Sequence, residues 1–187
     1  MLVKPINRTR GFTLVEMIIV ITLTAIAITG LAAALYPRSQ QSAEQVIAVK
    51  AAELGRAILD EILGRQFDHN SGPNGGLPEC LLSGPLERLC TEHSALGDDG
   101  ESITAEFNDV DDFITAQPRP IQDVLGQTLD SSYRNFTVTI NVFYEQDNSG
   151  QFTGVNANQL SHYKRIEVVI IDSQGNRYPF AAIKGNY

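Results

Sequence analysis

The chain has 187 residues, of which 43% are apolar and 19% charged, and its 22 acidic residues outnumber its 14 basic ones. Such a composition fits one globular domain of ordinary size and excludes a disordered or collagen-like chain. The formal net charge of -8 repels nucleic acid and anionic lipid surfaces. Because the aromatic residues are not interleaved with Arg and Lys either, we predict no nucleic-acid binding.

Hydropathy divides the chain into a membrane-length segment at 12–36 and a water-soluble part at 37–187. No residue from Met17 to Tyr36 is charged, and a helix of that length spans the roughly 30 Å hydrocarbon core of a bilayer. Three bases precede the segment, at Lys4, Arg8 and Arg10. Under the positive-inside rule they keep the amino-terminal end in the cytoplasm, so we expect residues 37–187 to lie in the periplasm.

A secretory signal peptide with a cut site near Ala32 is the alternative to a membrane helix. We disfavour it because the apolar stretch exceeds the roughly 7–15 residues that are usual for a signal peptide. Glu16 also lies inside the apolar zone that begins at Phe12. A carboxylate in a membrane segment costs on the order of 3 kcal/mol at the helix centre and marks a functional position by default.

The hexapeptide Gly11-Phe12-Thr13-Leu14-Val15-Glu16, between a basic leader and an apolar helix, resembles the type IV prepilin signature. The resemblance implies that prepilin peptidase removes residues 1–11 by cutting after Gly11. It also implies that Phe12 is N-methylated as the new terminus. Residues 12–36 then form the transmembrane and assembly segment of a filament subunit.

Glu16 has a clear electrostatic role in that scheme. Cleavage leaves an α-amine on Phe12, and a cation in an apolar filament core needs an anion nearby. Glu16 supplies that anion, either to its own chain or to a neighbouring subunit. Pairing between neighbours would set the axial stagger of the helices during assembly.

A helical pattern resumes beyond the membrane segment. An apolar stripe recurs at spacings of three and four residues, at Ile47, Ala51, Leu54, Ile58 and Ile62. We therefore predict one helix from Phe12 to about Gln66, whose second half packs on a sheet. Gly30 and Pro37 are weak points at which we expect a kink without a full break.

Residues 68–105 are rich in Gly and Pro and predict a loop with short helical turns. The glycines around Pro73 do not form a phosphate-binding loop, because the Gly-Lys-Ser/Thr ending is missing. The loop contains the two cysteines of the chain, Cys80 and Cys90. We predict a disulfide between them if the compartment is oxidising, and two reduced thiols otherwise.

An acidic cluster lies between residues 98 and 112, with no base among its members, which are Asp98, Asp99, Glu101, Glu106, Asp109, Asp111 and Asp112. Its spacing lacks the pattern of a calcium-binding loop. A solvated acidic face, or aspartates that cap turns, is therefore favoured, and calcium binding is the open alternative. We expect three ordinary surface histidines, at His69, His93 and His162. The sequence shows no catalytic motif, so we predict no enzyme, no cofactor and no metal site.

Strand signals dominate the last third of the chain, at 136–144, 163–171 and 178–183. Alternation places Phe136, Val138, Ile140 and Val142 on one face. Residues 173–176 read as a hairpin turn and residues 146–161 as a longer polar connection. Three or four antiparallel strands at about 135–184, covering one face of a helix, predict an α+β fold, which is the fold that the pilin resemblance implies.

Segments beyond the signature also resemble minor pilins of the MSHA type IV pilus, namely 59–63, 67–68, 107–113 and 180–187. The resemblance implies a subunit that takes part in pilus assembly, priming and surface attachment. Its partners would be prepilin peptidase, the major pilin, other minor pilins and the inner-membrane assembly platform. The alternatives are a minor pseudopilin of a type II secretion system and a monomeric membrane-anchored binding protein or enzyme.

Overall fold

The computed structural model describes residues 11–71, 78–101, 103–123, 127, 129 and 133–187, with the backbone alone at 35–43. The predicted leader before Gly11 and the Gly- and Pro-rich stretch at 72–77 lie outside the described residues. The chain divides into two compact units, Met1–Val46 and Ile47–Tyr187.

Helix α1 runs from Leu14 to Leu63 and passes Gly30 and Pro37 without a break. It begins two residues after the predicted start and ends before the predicted end at Gln66. Gly64 closes the helix, because its N–H donates to the Asp60 and Glu61 carbonyls at 3.2 and 3.1 Å. The kink expected at Pro37 stays a prediction.

Five strands follow, and every pairing between them is antiparallel. They are β1 (Arg119–Pro120), β2 (Thr137–Asn148), β3 (Gln151–Asn156), β4 (Tyr163–Ile171) and β5 (Arg177–Gly185). The order is β1-β2-β4-β5, and β3 pairs with β2. A long amino-terminal apolar helix together with a small antiparallel sheet confirms the predicted α+β, type IV pilin-like fold.

The predicted polar connection at 146–161 is wrong over its first half. Strand β2 continues to Asn148, and β3 folds back against it through a two-residue turn. Ser149 and Gly150 take positive φ angles of 56° and 88°, as a type I′ hairpin turn requires. The Asp147 carboxylate accepts the Gly150 N–H at 2.7 Å. The Ser-Gly pair was the available sequence signal for this hairpin.

The inward faces of the sheet and of the helix form one core. Cross-strand rows join Val138 to Ile170 and Ile140 to Val168 in β2 and β4, and all four side chains are buried. The predicted helix stripe is confirmed, since Ala51, Leu54 and Ile62 are buried and Ile47 and Ile58 pack against the same core. Burial of this continuous apolar surface is the main stabilising contribution to the domain.

Gly55 allows the helix to approach β5 closely. A Cβ atom at this position would overlap Cε2 of Phe180, far inside van der Waals contact. The Phe180 ring therefore occupies the space that any other residue at position 55 would need.

A second, smaller core surrounds the cysteine loop. Cys80 and Cys90 are bonded to each other and pack with Phe67 and Tyr144. The Asn186 side chain holds the loop from the far end of the sheet, because its Oδ1 accepts the Cys80 N–H at 3.0 Å and its Nδ2 donates to the Cys80 carbonyl at 2.9 Å. The disulfide loop is thus fastened to the sheet by a second, hydrogen-bonded clamp.

We predict that replacing Cys80 and Cys90 together by Ala lowers the free energy of unfolding by about 3 kcal/mol, because the crosslink removes denatured-chain entropy. Denaturant unfolding of the full chain in detergent, with and without a reductant, measures this difference. The reductant should destabilise the parent by a similar amount and leave the double variant unchanged. A reductant effect on the double variant would contradict the assignment.

Candidate functional site

The start of helix α1 is a capping box formed by Thr13 and Glu16. The Thr13 hydroxyl accepts the Glu16 N–H at 3.2 Å, and the Glu16 carboxylate lies 3.5 Å from the Thr13 N–H that points to it. The first helical hydrogen bond follows, from Met17 N–H to the Thr13 carbonyl at 3.2 Å. Glu16 thus satisfies a free amide at the helix start, where the helix dipole also favours an anion.

This role of Glu16 was missed at the sequence level, although the Thr-x-x-Glu spacing of residues 13–16 signals it. The structure brings Phe12 and Glu16 to the same helix start. Phe12 is 76% exposed, and a Cβ atom on Gly11 would meet nothing within 4 Å. The segment that carries the predicted cut site is therefore open.

The apolar part of the helix is not covered by any of the described residues. The stretch Leu14–Ala34 is long and apolar enough to cross a membrane, with a mean hydropathy of 2.4, and none of it is buried. Its large side chains are about half to three-quarters exposed, among them Leu14, Val15, Ile18 and Ile26. A surface of this kind needs lipid or other apolar helices around it.

Hydroxyl groups in the apolar stretch are satisfied within the helix. Thr22, Thr24 and Thr29 each donate to carbonyls three and four residues earlier, at 2.9–3.0 Å. These threonines therefore bring no unpaired donor into an apolar environment, which is the condition for a helix in lipid.

The sequence favoured a solvated face or turn-capping side chains for the acidic cluster, and its members divide between the two. Asp98, Asp99 and Glu106 are exposed. Asp109, Asp111 and Asp112 are buried at a short 3₁₀ helix, Asp111–Phe113. Asp109 Oδ1 accepts the Asp111 N–H at 2.9 Å, and Asp112 Oδ2 accepts the N–H groups of Asn108 and Asp109 at 2.8 and 2.9 Å. The turn-capping alternative is correct for Asp109 and Asp112, whereas Asp111 accepts the Gly97 N–H and a hydrogen bond from Lys164.

A buried lysine lies beside this turn and was not singled out in the sequence. Lys164 stands on the inward face of β4, and its side chain is fully buried. Its ammonium donates to the Phe67 carbonyl at 2.7 Å, to Asp68 Oδ2 at 3.0 Å and to Asp111 Oδ1 at 2.6 Å. All three donors of the ammonium are therefore used, as a buried charge requires. Alternate residues of β4 face inward, and Lys164 occupies one of these positions, which is the sequence signal that could have identified it.

The surroundings keep this ion pair charged. Burial by itself would raise the pKa of Asp68, but the Lys164 ammonium and hydrogen bonds from Thr91 and Asn70 leave that pKa below its ordinary value. Burial would lower the pKa of Lys164, but Asp111 and the other nearby carboxylates leave it above its ordinary value. Both partners are ionised at neutral pH.

The three histidines are exposed, as predicted. The Nδ1 atom of His69 lies 3.5 Å from Oδ2 of Asp99. Three potential metal ligands lie close to one another, on Asp68, Cys80 and Cys90. They offer no thiolate, however, because the two sulfur atoms are bonded to each other.

Residues 6–32 match the family model of the prokaryotic N-terminal methylation motif. No curated protein and no solved structure matches the chain. The motif covers the capping box and most of the exposed apolar stretch. The apolar helix and the motif together fit a single-pass membrane-anchored pilin.

We predict that Lys164→Met lowers the free energy of unfolding by about 3–5 kcal/mol, because it leaves Asp68 and Asp111 buried without their cation. Lys184→Met is the matched control. Lys184 stands beside Lys164 in the sheet but donates to the carbonyls of Leu63 and Arg65 at the helix end. Its loss should cost about 1–2 kcal/mol. Equal losses in denaturant unfolding would contradict the special role of Lys164.

Proposed function

We propose that this chain, which carries the N-terminal methylation motif of type IV prepilin-like proteins, is a minor pilin of an MSHA-type pilus and resembles MshD. The observation that carries the proposal is the motif at the head of an unpartnered apolar helix, in a chain that also contains a pilin-like sheet. Such a subunit works by packing and recognition. Its apolar helix docks on sister helices, and its outer domain contacts neighbouring subunits or a surface.

Processing begins the proposed pathway. Prepilin peptidase removes residues 1–11 by cutting after Gly11, and the amine of Phe12 is then methylated. The exposure of both residues supports this step, because a protease needs an accessible and extended backbone. The mature subunit then starts one residue before the capping Thr13.

Glu16 has two tasks in the proposal. In the separate subunit it caps its own helix, as its contact with Thr13 shows. In the filament it also neutralises a Phe12 amine, most simply that of an adjacent subunit, because an unpaired cation is costly in an apolar core. The second task fixes the stagger between helices.

The proposed location differs between the apolar helix segment and the rest of the chain. The helix segment 12–36 anchors the chain once in the inner membrane, and residues 37–187 lie in the periplasm before incorporation into the pilus. The Cys80–Cys90 bond supports an oxidising compartment. The proposed partners are prepilin peptidase, the inner-membrane assembly platform, the major pilin and other minor pilins.

A minor pseudopilin of a type II secretion system is the alternative, because it would share the processing motif and the membrane helix. Deletion of the gene distinguishes the pilin function from the pseudopilin function. Loss of surface pili with normal protein export supports the pilin, and loss of export with normal pili supports the pseudopilin.

We predict that the protein isolated from its host lacks residues 1–11 and carries one added methyl group, which intact-mass measurement detects. Gly11→Val should retain the leader, since the added side chain changes the peptidase site. The variant should not disturb the fold, because a Cβ atom at Gly11 meets nothing. Gly30→Ala is the control, because a Cβ atom at Gly30 also meets nothing. A parent protein that keeps its leader would refute the proposed processing.

We predict that Glu16→Gln and Glu16→Ala both reduce incorporation into pili by at least tenfold. Gln at this position preserves the capping box but removes the charge, whereas Ala removes both. The measurement is disulfide crosslinking to other pilins from single cysteines placed at Leu14 or Ile18, in cells that carry the assembly genes. Normal crosslinking of Glu16→Gln would show that capping alone is required.

A further inference from the structure

Among the described residues, three carboxyl groups of the acidic cluster each leave one oxygen buried and without a hydrogen-bond partner. These oxygens are Oε2 of Glu101, Oδ2 of Asp109 and Oδ1 of Asp112. Asp109 and Asp112 are almost fully buried, at 0% and 2% exposure. The other oxygen of each group is already held, because it accepts a protein N–H. Buried polar atoms are normally paired, so these three oxygens require either a bound cation or a shared proton.

The same carboxyl groups are close enough to share one ion. Asp99, Asp109 and Asp112 each bring an oxygen to within 4.8 Å of the other two. Oxygens that bind one Ca²⁺ at about 2.3–2.6 Å lie no farther than roughly twice that distance from one another. Glu101 is tied to this group, since its Oε1 accepts from the Asn108 side chain and the Asn108 N–H donates to Asp112.

The charges of the buried groups around this site also favour a bound cation. Four buried carboxyl groups, on Asp68, Asp109, Asp111 and Asp112, stand against the single buried ammonium of Lys164. That ammonium is already shared by Asp68 and Asp111. Asp109 and Asp112 thus have no counter-charge from it in hydrogen-bond contact, and buried carboxylates without one are costly.

We propose that Asp99, Asp109 and Asp112 bind one calcium ion. The donors are all hard carboxylate oxygens, which suit Ca²⁺ rather than a transition metal. Asp99 is partly exposed at the rim, so water can complete the six to eight ligands that Ca²⁺ takes. Mg²⁺ fits less well, because it demands a strict octahedron and keeps most of its water. The proposal does not depend on the proposed function.

A shared proton is the competing explanation for the orphaned oxygens. Burial and the neighbouring Asp111 raise the pKa of Asp109 to about 9, so this carboxyl holds a proton at neutral pH when no cation is bound. Burial and the adjacent Asp112 also raise the pKa of Glu101. A divalent cation would replace such a proton, and the experiment must therefore distinguish the two.

The test is a titration of the full chain in detergent, stripped with a chelator, with CaCl₂ alone. We expect one Ca²⁺ per chain by isothermal titration calorimetry, with a Kd of about 10⁻⁴–10⁻³ M or tighter. The melting temperature should rise by about 5–10 °C when free Ca²⁺ reaches about a hundred times the Kd. The absence of both responses in the parent protein would overturn the site and leave the shared proton.

Asp109→Asn should abolish both responses, because it removes the most buried charged ligand. Glu106→Gln is the control, since Glu106 is exposed in the same segment and loses the same charge; it should respond as the parent does. A retained response in Asp109→Asn would overturn the ligand assignment, and an equal response of the parent to MgCl₂ would overturn the choice of calcium. If Asp109→Asn does not fold, the parent titration decides the question alone.

Discussion

The pairing of the Lys164 ammonium with Asp68 and Asp111 is the interaction on which the outer domain depends. It joins three parts of the chain: the residues just after helix α1, the 3₁₀ turn and strand β4. An ammonium in an apolar core is tolerated only when every donor is used, so each of these parts must be in place. The ion pair thus favours the arrangement of the turn against the sheet in which both carboxylates reach the ammonium.

The amino-terminal unit obeys a different constraint, because its apolar side chains meet solvent in the separate chain. Nothing within the described residues covers the stretch Leu14–Ala34. Its polar groups are instead hydrogen-bonded within the helix, in the capping box and through the threonine hydroxyls. A helix with these features is long and apolar enough to cross a membrane, and it brings no unpaired threonine hydroxyl into lipid. Its sequence therefore serves both the membrane and the proposed filament.

Sequence patterns predicted the elements that repeat over many residues. The apolar stretch, the helix stripe and the alternation in β2 and β4 are long enough to read directly. The β2–β3 hairpin was missed because β3 is exposed along its whole length and shows no alternation of buried and exposed residues. The burial of Asp111 was missed for another reason, because its partner Lys164 lies on a strand 53 positions away. Charge patterns in one segment do not contain that information.

The contact of Lys184 with the end of α1 has a consequence for the order of folding. The last turn of the helix contains no base of its own, and its carbonyl at Leu63 waits for a donor that is separated by 121 positions along the chain. Contacts of such long range are entropically expensive and slow to form. The Leu63 carbonyl therefore lacks this donor until β5 has paired with β4. A chain truncated before its last strand would leave the end of the long helix without this contact.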